Sequence, residues 1–64
     1  MRSLKQLLAW QKRRGDLWVE IFLDGSCEVH WEKLSYDIIA SENTLYKALL
    51  GAYRVIQEYE SESE

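Results

Sequence analysis

Residues that cross-link or rigidify small proteins are scarce in this chain of 64 residues, which has no proline and one cysteine. The single cysteine, Cys27, cannot form a disulfide within the chain. No apolar run approaches the roughly 20 residues that a membrane span needs, and the first residues lack the apolar core of a signal peptide. We therefore expect a cytoplasmic protein that folds without disulfides.

Short length and uneven charge are the next features. A chain this short forms one domain that buries only about 60% of the surface exposed by its unfolded form, so oligomerisation or a partner is the remaining source of added stability. Residues 1–14 hold five basic and no acidic side chains, whereas residues 15–64 hold three basic and eleven acidic ones. The glutamates at the end predict an acidic, frayed tail over residues 60–64, after a single domain over residues 1–59.

The segment from Leu17 to Trp31 alternates between apolar and polar residues on both sides of Asp24-Gly25, which predicts a β-hairpin. A two-residue turn would place polar side chains opposite apolar ones on the buried face. A three-residue loop with Gly25 at a positive φ matches the two apolar sets instead. The predicted core face of the hairpin consists of Leu17, Val19, Ile21, Cys27, Val29 and Trp31.

A helical pattern precedes the hairpin. Ser3 is a suitable N-cap, and Gly15 suits the left-handed position that ends a helix, so we predict a helix that runs to about Arg14. We expect one stripe of this helix, which holds three leucines, to pack on the hairpin. It consists of Leu4, Leu7, Leu8 and Gln11.

A second helical pattern covers residues 42–59, with Ser41 or Asn43 as the predicted N-cap. Its apolar arc is wide enough to pack on a sheet and on a neighbouring helix at once. Glycine inside a helix costs about 1 kcal/mol relative to alanine, so we expect Gly51 to admit a bulky neighbour such as Trp10.

Residues 33–40 are ambiguous, because a third short strand and an irregular connection both fit the pattern. The predicted fold is therefore a small α+β domain of order αββα or αβββα, with both helices on one face of an antiparallel sheet. The αβββα order resembles that of double-stranded RNA-binding domains, a family with a lysine-rich cluster at the start of its last helix. This sequence has only Lys47 there, so no functional residue is transferred from that family.

Catalytic and metal chemistry have weak candidates. Cys27 is assigned to the core and the only histidine, His30, to the opposite face, so the two cannot act as nucleophile and base. Glu28, His30 and Glu32 share one strand face, but successive same-face side chains lie roughly 6.6 Å apart, too far to converge on one ion. We expect no enzyme activity, no metal and no cofactor.

Aromatic side chains on the predicted exposed surface indicate a partner-binding role. The sheet face opposite the helices carries Trp18, Glu20, Phe22 and His30, and the second helix adds a stripe of Tyr46, Leu50 and Tyr53. We expect a small protein-protein interaction module whose partner is another protein or, less favoured, a second copy of the chain. Phage-type inhibitors, among them anti-CRISPR and anti-restriction proteins, have similar size and charge.

The alternative function is nucleic-acid binding by the first helix. Its exposed face is basic and contains Arg2, Lys5, Lys12 and Arg13. Acidic residues on the sheet face repel phosphates, so this alternative ranks second.

Overall fold

The order of elements is helix, three strands, helix in the computed structural model of this protein, which describes residues 2–62. The elements are α1 (Leu4–Arg14), β1 (Leu17–Ile21), β2 (Cys27–Trp31), β3 (Asp37–Glu42) and α2 (Leu45–Glu62). The strands form one antiparallel sheet in which β2 is central. The α+β class is confirmed, and β3 settles the ambiguity over residues 33–40 in favour of αβββα.

The β1–β2 hairpin has the predicted register. Val19 lies opposite Val29, and the apolar residues on either side of this pair also face each other. The Phe22 amide donates to the Ser26 carbonyl at 2.8 Å, and the Gly25 amide donates to the Phe22 carbonyl at 3.0 Å. These bonds enclose a three-residue loop in which Gly25 has φ +89°, a conformation that glycine adopts at no steric cost. The predicted loop is confirmed.

The ends of α1 also follow the prediction. The Ser3 hydroxyl accepts from the Gln6 amide at 3.1 Å, and the Gln6 side chain accepts from the Ser3 amide at 2.9 Å, a reciprocal capping box. Gly15 ends the helix at φ +72°. The second helix begins later than predicted, because β3 extends to Glu42 and Thr44 caps the helix by accepting from the Lys47 amide at 3.2 Å.

The core lies between one face of the sheet and both helices, as predicted. It is centred on Trp31, which is fully buried and meets Tyr59 edge to face with 5.2 Å between ring centroids. A Cβ at Gly51 would lie 3.5 Å from the Ala40 Cβ, so the neighbour at this glycine is β3 and the expectation of Trp10 is wrong. The buried residues are Leu7, Leu17, Cys27, Val29, Trp31, Ala48, Leu49, Ala52 and Ile56.

Helix cover ends before the tip of the hairpin. Ile21 is 63% exposed, so its assignment to the core is wrong. The reason is that α2 packs over β2 and β3, and Leu7 is the one fully buried residue of α1. The end of β1 near the hairpin loop is therefore left uncovered. Leu4 and Leu8 are about 40% exposed, so the predicted apolar stripe of α1 is only partly used.

The end of the chain is more ordered than predicted. Residues 60–62 continue α2, and the Glu60 carboxylate accepts from the Arg14 guanidinium at 3.2 Å, so the frayed tail does not begin at residue 60. The rest of the predicted tail, residues 63–64, lies outside the described residues. Within residues 2–62, neither helix is long and apolar enough to cross a membrane.

Candidate protein-binding site

The sheet face opposite the helices, called the open face below, is uncovered. Trp18 of β1, His30 of β2 and Ile38 of β3 lie side by side across it. A β-bulge places Ile39 and Ala40 of β3 together on the core side, so that Ile38 returns to the open face. Trp18 is 58% exposed and Ile38 is 47% exposed, which is unusual for large apolar side chains so close together.

An open depression of about 440 Å³ lies on this face. Its lining residues are Trp18, Glu20, His30 and Tyr36. Two aromatic rings, an acid and an imidazole therefore converge on one concave site, which matches the polar and aromatic mixture of protein-binding surfaces.

Tyr36 reaches the depression because the chain turns sharply after β2. A single 3₁₀ turn (Glu32–Leu34) is followed by Ser35 at φ +57° and Tyr36 at φ +60°, two left-handed residues that are not glycine. Each costs of order 1–3 kcal/mol, which the surrounding contacts must offset. The Tyr36 amide donates to the Trp31 carbonyl at 2.8 Å and so holds this conformation. The sequence offered no signal for it, since neither residue is a glycine or asparagine.

His30 contacts both the Tyr36 loop and Glu28. Nδ1 lies 2.8 Å from the Tyr36 carbonyl oxygen, which can only accept, so Nδ1 carries a proton and donates. Nε2 lies 3.4 Å from the Glu28 carboxylate, a contact that becomes an ion pair when the imidazole is protonated. His30 therefore supports the Tyr36 loop through its Nδ1–H.

Two acids face each other within the open face. Glu20 and Glu28 are directly opposite partners of β1 and β2. Like charges in such a pair destabilise a sheet, because their Cβ atoms are only about 5 Å apart. The arrangement gives the open face a locally negative potential beside its aromatic rings.

Phe22 does not join the depression. It lies four positions along the chain from Trp18, about 13 Å along an extended strand, and is 38% exposed beside the hairpin loop. Glu32 belongs to the 3₁₀ turn rather than to the strand face on which the sequence placed it. Of the predicted sheet-face site, the structure brings together Trp18, Glu20 and His30, while sequence reasoning missed Tyr36 and Ile38.

The predicted stripe on α2 is contacted by Arg2, which precedes α1, and by Trp10 of α1. The Tyr46 hydroxyl donates to the Arg2 carbonyl at 2.9 Å. The Arg2 guanidinium hydrogen-bonds the Tyr53 hydroxyl and lies over that ring, 4.2 Å from its centroid. Leu50 is half-buried in the same seam, and Trp10 meets Tyr53 edge to face. This stripe helps to hold the N-terminal segment and α1 against α2, and its three residues remain part-exposed. They also line an open depression of about 600 Å³, so a partner-binding role for the stripe stays a prediction.

The four residues of the predicted basic face, Arg2, Lys5, Lys12 and Arg13, are all exposed. Arg2 precedes α1 and contacts the Tyr53 ring, and Arg14 binds Asp16 and Glu60, so the exposed cations of α1 itself are Lys5, Lys12 and Arg13. Lys5 and Lys12 are two helical turns apart, about 10 Å along the axis. Three cations on one short helix make a narrow footprint for nucleic acid.

A cluster of polar groups joins the end of α1 to the core. The Arg14 guanidinium holds the Asp16 carboxylate with two bonds of 3.1 Å, and the buried Trp31 indole donates to the same carboxylate at 3.0 Å. Partial burial alone would raise the pKa of Asp16, but the bonds from Arg14 and Trp31 outweigh burial and hold this pKa below its usual value. The bond to Asp16 likewise raises the pKa of Arg14.

Among the described residues, the candidates for metal binding and nucleophilic catalysis do not lie together. Within residues 2–62, no three histidine, cysteine, aspartate or glutamate side chains are grouped so that they could hold a metal ion. Cys27 is buried and its thiol contacts the Gly25 carbonyl at 3.6 Å, on the core side of the sheet and away from His30.

No protein-family model, curated protein or solved structure matches this chain. The functional inference therefore comes from the open face itself. Its distinguishing features are the exposed ring of Trp18, the strained Tyr36 loop and the opposed pair of Glu20 and Glu28.

Proposed function

We propose that this protein is a small cytosolic interaction module that binds another protein through its open face and acts by occupying the partner's surface. The observation that carries the proposal is the depression between Trp18 and Tyr36, two residues that are 58% and 52% exposed. Tryptophan and tyrosine supply much of the binding energy at protein interfaces, because they bury a large area at small cost in side-chain entropy.

The charges of the open face define the partner. Glu20 and Glu28 oppose each other, and a cation placed between them would relieve their repulsion. Arginine suits this position, since its planar guanidinium binds carboxylates through two parallel bonds and stacks on aromatic rings. The partner surface that fits this site therefore presents an arginine beside an apolar contact.

The same charges disfavour two other occupants. A second copy docked face to face would bring Glu20 and Glu28 against their own counterparts, which are also acidic. Nucleic acid would meet the same acids with its phosphates. Phage-type inhibitors, which are similar to this chain in size and charge, act in this way by covering a functional surface of their target.

A peptide-display library with randomised sequences tests the proposal directly. We expect the wild-type protein to enrich peptides that contain arginine, and Trp18→Ser to lose this enrichment while its circular dichroism spectrum stays unchanged. Leu23→Ser is the matched control, because Leu23 is also exposed but lies in the hairpin loop away from the depression. Equal enrichment by Trp18→Ser and the wild type would contradict the proposal.

A further inference from the structure

The outer edge of β1 presents main-chain groups with no strand beside them. The sheet order places β2 on one side of β1 and, within residues 2–62, no strand on the other. Because the Phe22 amide bonds to β2, the alternation of an antiparallel pair turns Trp18 and Glu20 toward β2 as well. The amides and carbonyls of Leu17, Val19 and Ile21 therefore point outward.

The two edges of the sheet are protected differently. The β3 edge has a bulge at Ile39 and an acid at each end, Asp37 and Glu42, which are common devices against pairing with another chain. The β1 edge has no bulge, proline or lysine, and its single charged residue is Glu20. Of the two edges, β1 is the one suited to accept another strand.

Apolar side chains accompany these unpaired groups. Ile21 is 63% exposed and Val19 is half-buried, and both lie on the core side of the sheet where helix cover ends. A strand added at this edge would cover Ile21 without altering the fold.

We propose that the β1 edge binds a second copy of this chain, with the two β1 strands antiparallel about a two-fold axis at Val19. In this register Val19 pairs with its own counterpart, and Leu17 pairs with Ile21 of the second copy. All the outward amides and carbonyls of the strand are then satisfied, about six main-chain hydrogen bonds in total. The interface is isologous and closes as a dimer.

Charge and hydrogen bonding select this register over its neighbours. An axis at Glu20 would set Glu20 against its own counterpart and leave Leu17 unpaired. An axis at Trp18 would leave Ile21 without a strand partner from the same segment. With the axis at Val19, Glu20 instead lies opposite Trp18 of the second copy, so acids are kept apart.

The proposed dimer extends the sheet sideways through the β1 edge. It sets Glu20 beside Trp18 of the second copy, and both residues line the depression, so the depressions of the two copies become neighbours on one continuous sheet face. Ile21 lies on the core side of the sheet, so a variant at Ile21 can remove the dimer without changing the residues of the depression.

Sedimentation equilibrium over a dilution series tests the dimer. We expect the wild type to approach twice its chain mass of 7.6 kDa as concentration rises. Ile21→Lys should remain monomeric, because it places a charge opposite the apolar Leu17 of the second copy. Ile38→Lys is the matched control on the opposite edge strand, with 47% exposure, and should still dimerise. A wild type that is monomeric at every concentration, or an Ile21→Lys variant that dimerises like the wild type, overturns the proposal.

Disulfide cross-linking reports the register, even if Ile21→Lys fails to fold. In a Cys27→Ser background, Val19→Cys should form a covalent dimer on mild oxidation, because directly paired Cα atoms lie about 5.5 Å apart. Glu20→Cys should stay monomeric, because its counterpart lies about 8 Å away across the diagonal. Cross-linking of Glu20→Cys without cross-linking of Val19→Cys would overturn the Val19 axis.

Discussion

The indole nitrogen of Trp31 donates a hydrogen bond to the Asp16 carboxylate at 3.0 Å, so the most buried ring of the core is anchored to the turn that follows α1. Arg14 holds the same carboxylate and also reaches Glu60 near the end of α2. One small cluster therefore links α1, the sheet and α2. Because a domain of this size buries little apolar surface, links of this kind strongly affect how much stability a substitution removes.

Trp31→Ala should unfold the protein or lower its stability severely. Truncating a buried tryptophan costs about 3–5 kcal/mol, and here it also removes the indole donor from Asp16 and the ring contact with Tyr59. Trp31→Phe keeps most of the packing, so it should lose less. Urea denaturation compares the three proteins, and a Trp31→Ala midpoint equal to that of the wild type would show that this ring is outside the core.

Asp16→Asn should make the stability of the protein less dependent on pH in acid. Because folding lowers the pKa of Asp16, its contribution is fully present above the unfolded value of about 3.9 and is lost as pH falls through the lower folded value. The wild type should therefore weaken more steeply than Asp16→Asn below about pH 4. Thermal melts across this range make the comparison, and identical pH profiles would show that the Arg14 and Trp31 bonds do not form in solution.

Arg14→Ala should destabilise more than Glu60→Ala. Arg14→Ala removes the bonds to both Asp16 and Glu60 and costs about 1–3 kcal/mol. Glu60→Ala removes only the Arg14–Glu60 pair, whose carboxylate is half exposed, and this pair is worth at most about 1 kcal/mol. Removal of residues 61–64 should change stability little. Equal losses for Arg14→Ala and Glu60→Ala by chemical denaturation would mean that the Asp16 bonds contribute nothing.

The basic residues of α1 should confer no strong nucleic-acid binding. We expect fluorescence anisotropy with a mixed RNA and DNA pool to show weak binding that disappears at physiological salt, since α1 itself has just three exposed basic residues, Lys5, Lys12 and Arg13. Binding that persists at physiological salt and is abolished by alanine at these three positions would favour the nucleic-acid alternative instead.

The sequence predicts features that depend on neighbouring residues, such as the hairpin register, better than contacts between segments far apart in the chain. The hairpin register followed from two alternating apolar sets and a glycine, because a slip by one residue would bury polar side chains. Alternation shows which way Ile21 points, but whether a helix covers it depends on how far α1 and α2 extend across the sheet.

The candidate site was half predictable for the same reason. Trp18 and Glu20 were placed by strand alternation, whereas Tyr36 depends on a left-handed turn that no glycine or asparagine signals. The contacts of Arg2 with Tyr46 and Tyr53 were not predictable from local pattern, because Arg2 lies more than forty residues away in the chain.

The central claim is that an arginine-bearing partner binds between Trp18 and Tyr36, and an NMR titration of the three indole N–H signals tests it most directly. The titrant is an arginine peptide selected by display, with its arginine→alanine version as the control. We predict that the Trp18 indole signal shifts saturably with the arginine peptide while those of Trp10 and Trp31, in the helix seam and the core, stay in place. A bound peptide that leaves the Trp18 signal unmoved, or that binds equally well without its arginine, would contradict the account.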